Sequence, residues 1–178
     1  MNISESHIFK AQHSNIRLVA TEFDEPHNGH TLWRYEFYIE EQLIKNHIVG
    51  GDHTGLYPNL EHFEMESEDG NFIFIPKEEI VIYEVHTKQY HRFSTPGHTN
   101  NSFFGNRFTE GRLVVTLAHS LVIVNLQNMS AQSIVLPSKK YQLREGYYVD
   151  DILIVKYLDL QTYNEEIKRY NFDKMQFD

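Results

Sequence analysis

The chain contains no cysteine. That absence removes disulfides, thiolate metal ligands and cysteine nucleophiles together. Long apolar runs are also missing, and nothing approaches the ~20 residues of a membrane-crossing helix, so no membrane association is expected. The first ten residues have neither a basic start nor a sustained apolar core, which leaves no secretion signal and predicts a cytoplasmic location. Gly-x-Ser-x-Gly elbows, phosphate-cradling glycine loops and His-Glu-x-x-His pairs do not occur. No catalytic residue, cofactor or metal site is therefore predicted. Apolar residues at helical spacing are equally scarce, and the segments between turns are short and β-branched.

What the chain has instead is alternation. Trp33, Tyr35, Phe37 and Ile39 share one phase, and Arg34, Glu36 and Tyr38 the other, the period-two pattern of a half-covered antiparallel strand. Residues 113–115, 121–124 and 152–155 are apolar in both phases, which predicts strands covered on two sides. With 40% hydrophobic and 13% aromatic residues in 178, one all-β domain over 1–178 has the material for a core. Trp33, Phe37, Phe72, Phe74, Val114, Leu121, Ile123, Leu153 and Val155 are its predicted members.

A period is superimposed on the alternation. Gly29, Gly70, Gly111 and Gly146 are spaced by 41, 41 and 35 residues, and each opens a run of strand, turn, strand, turn, strand. Tight hairpin turns need positive φ, which glycine adopts without steric cost, so all four glycines are expected in turns. The implied units are 14–59, 60–100, 101–137 and 138–178. Three segments repeat an apolar, acid-or-amide, apolar order: Tyr83-Glu84-Val85, Val124-Asn125-Leu126 and Leu158-Asp159-Leu160. On this strand pattern, residues 68–93 and 109–136 resemble the propeller blades of kelch and WD-repeat proteins. The resemblance implies antiparallel repeats of about 40 residues in a small four-bladed propeller. A twisted β-sandwich is the alternative.

Charge gives the functional lead. Residues 1–99 hold 7 Lys and Arg against 16 Asp and Glu, whereas residues 100–178 hold 9 of each, so the net charge of -9 resides in the first half. Residues 61–69 contribute Glu61, Glu64, Glu66, Glu68 and Asp69 with no Lys or Arg. Alternation predicts that Glu64 and Glu66 point outward together as a negative stripe. The turns Glu40-Glu41, Pro76-Lys77-Glu78-Glu79, Ala118-His119-Ser120 and Asp150-Asp151 are expected at one end of the molecule, adding Glu78 and Glu79 among other acids. Such surfaces raise the local concentration of a basic protein and repel phosphate backbones, which argues against nucleic acid as a partner. They also serve solubility alone.

Small size, acidity and lack of cysteine are similar in composition to bacterial immunity proteins that neutralise secreted toxins. That likeness implies a non-enzymatic inhibitor masking a basic partner such as a nuclease toxin. Two other readings stand beside it. One is a small hydrolase using His27 and His30, which flank Gly29, or the Asp52-His53 loop. The other is a structural scaffold that self-associates through its sheet edges.

Overall fold

The computed structural model of the chain describes residues 3–13, 15–24, 31–50, 63–75, 79–96, 103–136, 140–171 and 176–177. These residues form strands and turns, with no helix among them. The first sheet contains β1 (Ile3–Lys10), β2 (Ile16–Asp24), β3 (Thr31–Ile39) and β4 (Gln42–Gly50). The second contains β5 (Phe72–Ile75), β6 (Ile80–Glu84) and β7 (Gln89–Phe93), and Glu66 adds a single antiparallel bridge to Ile73. The third contains β8 (Phe103–Thr109), β9 (Arg112–Leu117), β10 (Ser120–Asn125) and β11 (Ser130–Val135). The fourth contains β12 (Tyr141–Val149), β13 (Ile152–Asp159), β14 (Glu165–Asn171) and β15 (Gln176–Phe177). Each is an antiparallel meander of sequence neighbours. The fold is thus all-β, divided among four small sheets, none closed into a barrel.

Three apolar clusters join the sheets in chain order. Leu18, Tyr35 and Phe37 of the first sheet pack with Ile73, Ile75 and Val81 of the second. The opposite face of the second sheet, with Phe74 and Ile82, packs on Leu113, Val122 and Val124 of the third. The third sheet's other face, with Val114, Leu121 and Ile123, meets Leu143, Leu153 and Val155 of the fourth. Residues 113–115 and 121–124 lie in β9 and β10, whose sheet is covered twice, whereas 152–155 lies in β13, which among the described residues is covered on one face only and leaves Ile152 exposed. Seven of the nine predicted core residues are buried and Phe72 is half-buried, while the Trp33 side chain lies outside the described residues.

The expected glycine turns hold at two positions and fail at a third. Gly70 and Gly111 sit in turns at φ of 72° and 70°. Gly146 instead lies within β12, paired with Val155, where a Cβ would come 2.7 Å from Leu121 Cδ2. It is a close-approach glycine that lets the fourth sheet press on the third, and the repeat inferred from it is out of phase by a strand. Gly29 lies outside the described residues.

The recurring tripeptides turn out to be turn caps. Asn125 Oδ1 accepts from the backbone N–H of Gln127 at 2.9 Å and of Asn128 at 3.3 Å. Asp159 Oδ1 does the same for Gln161 at 2.8 Å and Thr162 at 3.2 Å. Glu84, one methylene longer, takes the Thr87 hydroxyl at 2.8 Å. Each turn closes on a residue of positive φ, Lys88, Met129 or Tyr163. Short polar side chains that hold the following backbone are common turn formers, so the pattern is a local signal.

Candidate functional site

Four segments meet where the third sheet's first strand passes its neighbours. Glu64 of the second unit is gripped from two directions by β8. The buried Asn106 amide accepts from Glu64 N at 3.2 Å and donates to Glu64 O at 2.7 Å, imitating a strand neighbour. The Glu64 carboxylate accepts from Phe108 N at 2.6 Å and from Arg107 at 2.8 Å. Arg107 also reaches Glu145 on β12 at 2.9 Å, so one guanidinium ties the third and fourth sheets to the segment that precedes β5. Burial works against the Arg107 charge, and the two carboxylates outweigh it and raise its pKa. Beside this network lies a cleft of about 690 Å³, lined by Ile8, Lys10, His13, Phe63, Glu66 and Phe108 among others.

The second feature is an acidic end built from two-residue turns. Glu40-Glu41 joins β3 to β4, Glu110-Gly111 joins β8 to β9, and Asp150-Asp151 joins β12 to β13. All six residues have positive φ, between 47° and 70°, the type I′ geometry that matches strand twist. Contacts place these turns together. The Glu110 carboxylate accepts from the backbone N–H of Asp150 at 2.8 Å and of Asp151 at 2.9 Å. Glu68 and Asp69 face Glu110 and Arg112 across a cleft of about 570 Å³. His13 packs where a Cβ on Gly70 would sit, and Glu40 N donates to Asn15 O in the adjoining β1–β2 turn at 2.8 Å.

Two arginines moderate this end without cancelling it. Arg17 lies 3.9 Å over the Tyr38 ring and pairs with Glu41 at 2.9 Å. Arg112 lies 4.4 Å over Tyr148 and pairs with Asp151 at 2.8 Å. The Glu41 and Asp151 side chains nevertheless stay 78% and 80% exposed, so their pairs are water-screened surface contacts. The Ser67 hydroxyl, at 2.7 Å, leads the hydrogen bonds that hold the Asp69 carboxyl below the ordinary carboxylate range.

The acids predicted from the sequence thus divide. Glu40, Glu41, Glu68, Asp69, Asp150 and Asp151 belong to one end. Glu79 and Ala118-His119 lie at the other, because successive turns of an antiparallel meander alternate between ends; β9 runs from Glu110-Gly111 to Ala118-His119. Glu79 pairs there with Arg92. Glu64 and Glu66 do not form an outward stripe: Glu64 holds β8, and the Glu66 side chain, 9% exposed, accepts the backbone N–H groups of Gln12 and His13. Carboxylates at the junction of two sheets satisfy edge N–H groups, which alternation within a single strand cannot reveal. Glu61, Glu78, His27, His30, Asp52 and His53 lie outside the described residues. Among the described residues no group of three or more His, Asp or Glu is placed to hold a metal ion, and no helix is long and apolar enough to cross a membrane.

Sequence reasoning missed Asn106, Arg107, Glu110 and Arg112. Only Glu110 carried a signal, as the acid preceding a turn glycine; the others act through partners more than 35 residues away. No family model and no curated protein matches the chain. Among solved structures, it is similar to the extracellular domain of a putative one-component system from B. thetaiotaomicron, with 13% identity and a TM-score of 0.47. That match covers 99% of this chain and 21% of the other. It is also similar to HIRA(644-1017), with 7% identity, a TM-score of 0.40, and coverage of 93% and 56% respectively. The chain therefore spans about a fifth of the first structure and just over half of the second.

Proposed function

We propose that the chain is a non-enzymatic acidic binding module in which four blade-like sheets succeed one another around a common axis, and whose acidic turns receive a basic protein, in the manner of an inhibitor or immunity protein. The carrying observation is the composition of the type I′ turns. Both central positions of such a turn require positive φ, where glycine and asparagine are cheapest and a side chain such as glutamate costs about 1–2 kcal/mol. Glu40, Glu41, Glu110, Asp150 and Asp151 occupy five of the six positions. Glu110 caps the Asp150-Asp151 turn, but Glu41 and Asp151 stay 78% and 80% exposed despite their pairs with Arg17 and Arg112, so local structure does not require acids at these positions. A basic partner would be drawn in by this end and held in register by its spaced carboxylates.

The test starts from a basic protein captured from the host and uses the pure pair thereafter. Converting Glu40, Glu41, Asp150 and Asp151 together to their amides is expected to slow association several-fold at low salt and to flatten its salt dependence, with dissociation changed less. Association kinetics identical to the parent at every salt concentration refute the reading. The corresponding change of Glu64 and Glu66 is no control, since these carboxylates hold sheets together.

A further inference from the structure

The two outermost faces of the sheet series carry different mixtures of polar and apolar side chains. On the first sheet, the face turned away from the second carries Arg17, Thr21, Arg34, Glu36 and Tyr38, with Val19 and the exposed Ile8 and Leu43 set apart among them. The fourth sheet's outer face carries Ile152, Ile154, Lys156 and Leu158 from β13, the residues alternating with buried Leu153, Val155, Tyr157 and Asp159. Register sets Ile154 beside Arg169, Lys156 beside Ile167, and Leu158 beside Glu165 on β14. Ile167, 64% exposed, therefore lies diagonally between Ile154 and Leu158, and the three make an apolar triad edged by charge. Among the described residues no apolar cluster joins this face to the first sheet.

We propose that this face is the interface for a second copy of the chain, related by a two-fold axis that passes close to Ile167. Charge selects that occupant. In a protein of net charge -9, this face presents Lys156 and Arg169 against Glu165 and, from β12, Glu145, so it has no excess of acid to draw a basic partner. Lys156 and Glu165 already pair at 2.7 Å, which raises the Lys156 pKa and lowers that of Glu165. A two-fold operation brings each apolar triad onto its own copy and lets Lys156 and Arg169 of one chain face Glu165 of the other, the self-complementarity that an isologous contact requires. Centre and edge then have the usual arrangement of an apolar middle within a polar border. The proposal is independent of the acidic turns and stands or falls separately from them.

Sedimentation and light scattering on the whole chain provide the test. A dimer of twice the 21.1 kDa chain mass is expected at micromolar concentration. Ile167→Lys, at an exposed position, is expected to weaken dimerisation at least about 100-fold while leaving the circular dichroism spectrum unchanged. Asp150→Asn at the acidic end is expected to leave it intact. Because the chain has no cysteine, Ile167→Cys gives a single thiol, and mild oxidation is expected to trap most of the protein as a covalent dimer. A monomer at every concentration overturns the proposal. So does a dimer that survives Ile167→Lys and fails to cross-link through Ile167→Cys, which would assign the contact to another face.

Discussion

Replacing Gly146 by alanine inserts a methyl group into the contact between the third and fourth sheets. The new Cβ would lie 2.7 Å from Leu121 Cδ2, 3.1 Å from Val114 Cγ1 and 3.3 Å from Leu121 Cδ1. The first distance is shorter than carbon atoms tolerate, and Leu121 and Val114 are both fully buried, so neither side chain can yield without disturbing others. Overpacking of this kind costs about 1–3 kcal/mol. Loss of glycine from the unfolded chain offsets about 0.4–1 kcal/mol of it. A net destabilisation of about 1.5 kcal/mol follows, or a Tm lower by about 3–6 °C in a chain of this size. Urea denaturation of a double-mutant cycle tests the cause. Leu121→Ala alone is expected to cost about 2–5 kcal/mol by leaving a cavity. In the Gly146→Ala background the methyl group enters that cavity, and the double variant is expected to be more stable than additivity allows by about 1 kcal/mol or more. Gly146→Ala at or above wild-type stability, or an additive cycle, refutes the packing argument. Gly111→Ala supplies the contrast: nothing lies within 4 Å of its Cβ position, yet its φ of 70° is expected to cost about 1 kcal/mol, without coupling to Leu121.

Three further outcomes follow from the same contacts. Phe74→Ala and Ile123→Ala, at 1% and 3% exposure, are each expected to cost about 2–5 kcal/mol in urea titrations, and a loss under 1 kcal/mol would misplace them in the core. Asn106→Ala strips two hydrogen bonds from the Glu64 backbone and is expected to cost about 1–3 kcal/mol, with accelerated hydrogen exchange at Glu64 N–H as its local signature. Burial pushes the Asp159 carboxyl up, but the Gln161 N–H, Lys140 and the Thr162 N–H outweigh it and leave the folded pKa depressed. Its contribution is therefore present above the unfolded value of about 3.9 and lost as pH falls through the lower folded value, so the urea midpoint of Asp159→Asn is expected to decline less than the parent's on acidification through that interval.

Strand existence was legible because it is local. The alternation from Trp33 to Ile39 falls within β3, and the apolar runs 113–115, 121–124 and 152–155 fall within β9, β10 and β13. Alternation in β3 marked its buried face through Tyr35 and Phe37, and double apolar phases picked out the twice-covered β9 and β10 but misjudged β13, whose second face is open among the described residues. Even the tripeptide ending in Leu126 or Leu160 was a real signal, since a side chain caps its own turn within three residues. The ends of the molecule were less legible. Glu40-Glu41 and Asp150-Asp151 do share an end, but the parity of strands sends Glu79 to the other, and counting from Gly146 as a turn shifted that parity.

The amino-acid sequence by itself determined the period-two strands, the turns and their caps, and the excess of acid in the first half, because each depends on residues within a few positions of one another. Tertiary structure alone decided which carboxylates remain in water. Glu64 and Glu68 are four residues apart in one acidic run, yet Glu64 is held by Asn106, Arg107 and Phe108 from another sheet while Glu68 is exposed. Gly146 shows the same division: its identity is visible in the chain, but its reason is Leu121, which only the packing of one sheet on another brings within 3 Å. Contacts between sheets depend on distances across more than 20 residues of chain, and neither alternation nor composition carries that information.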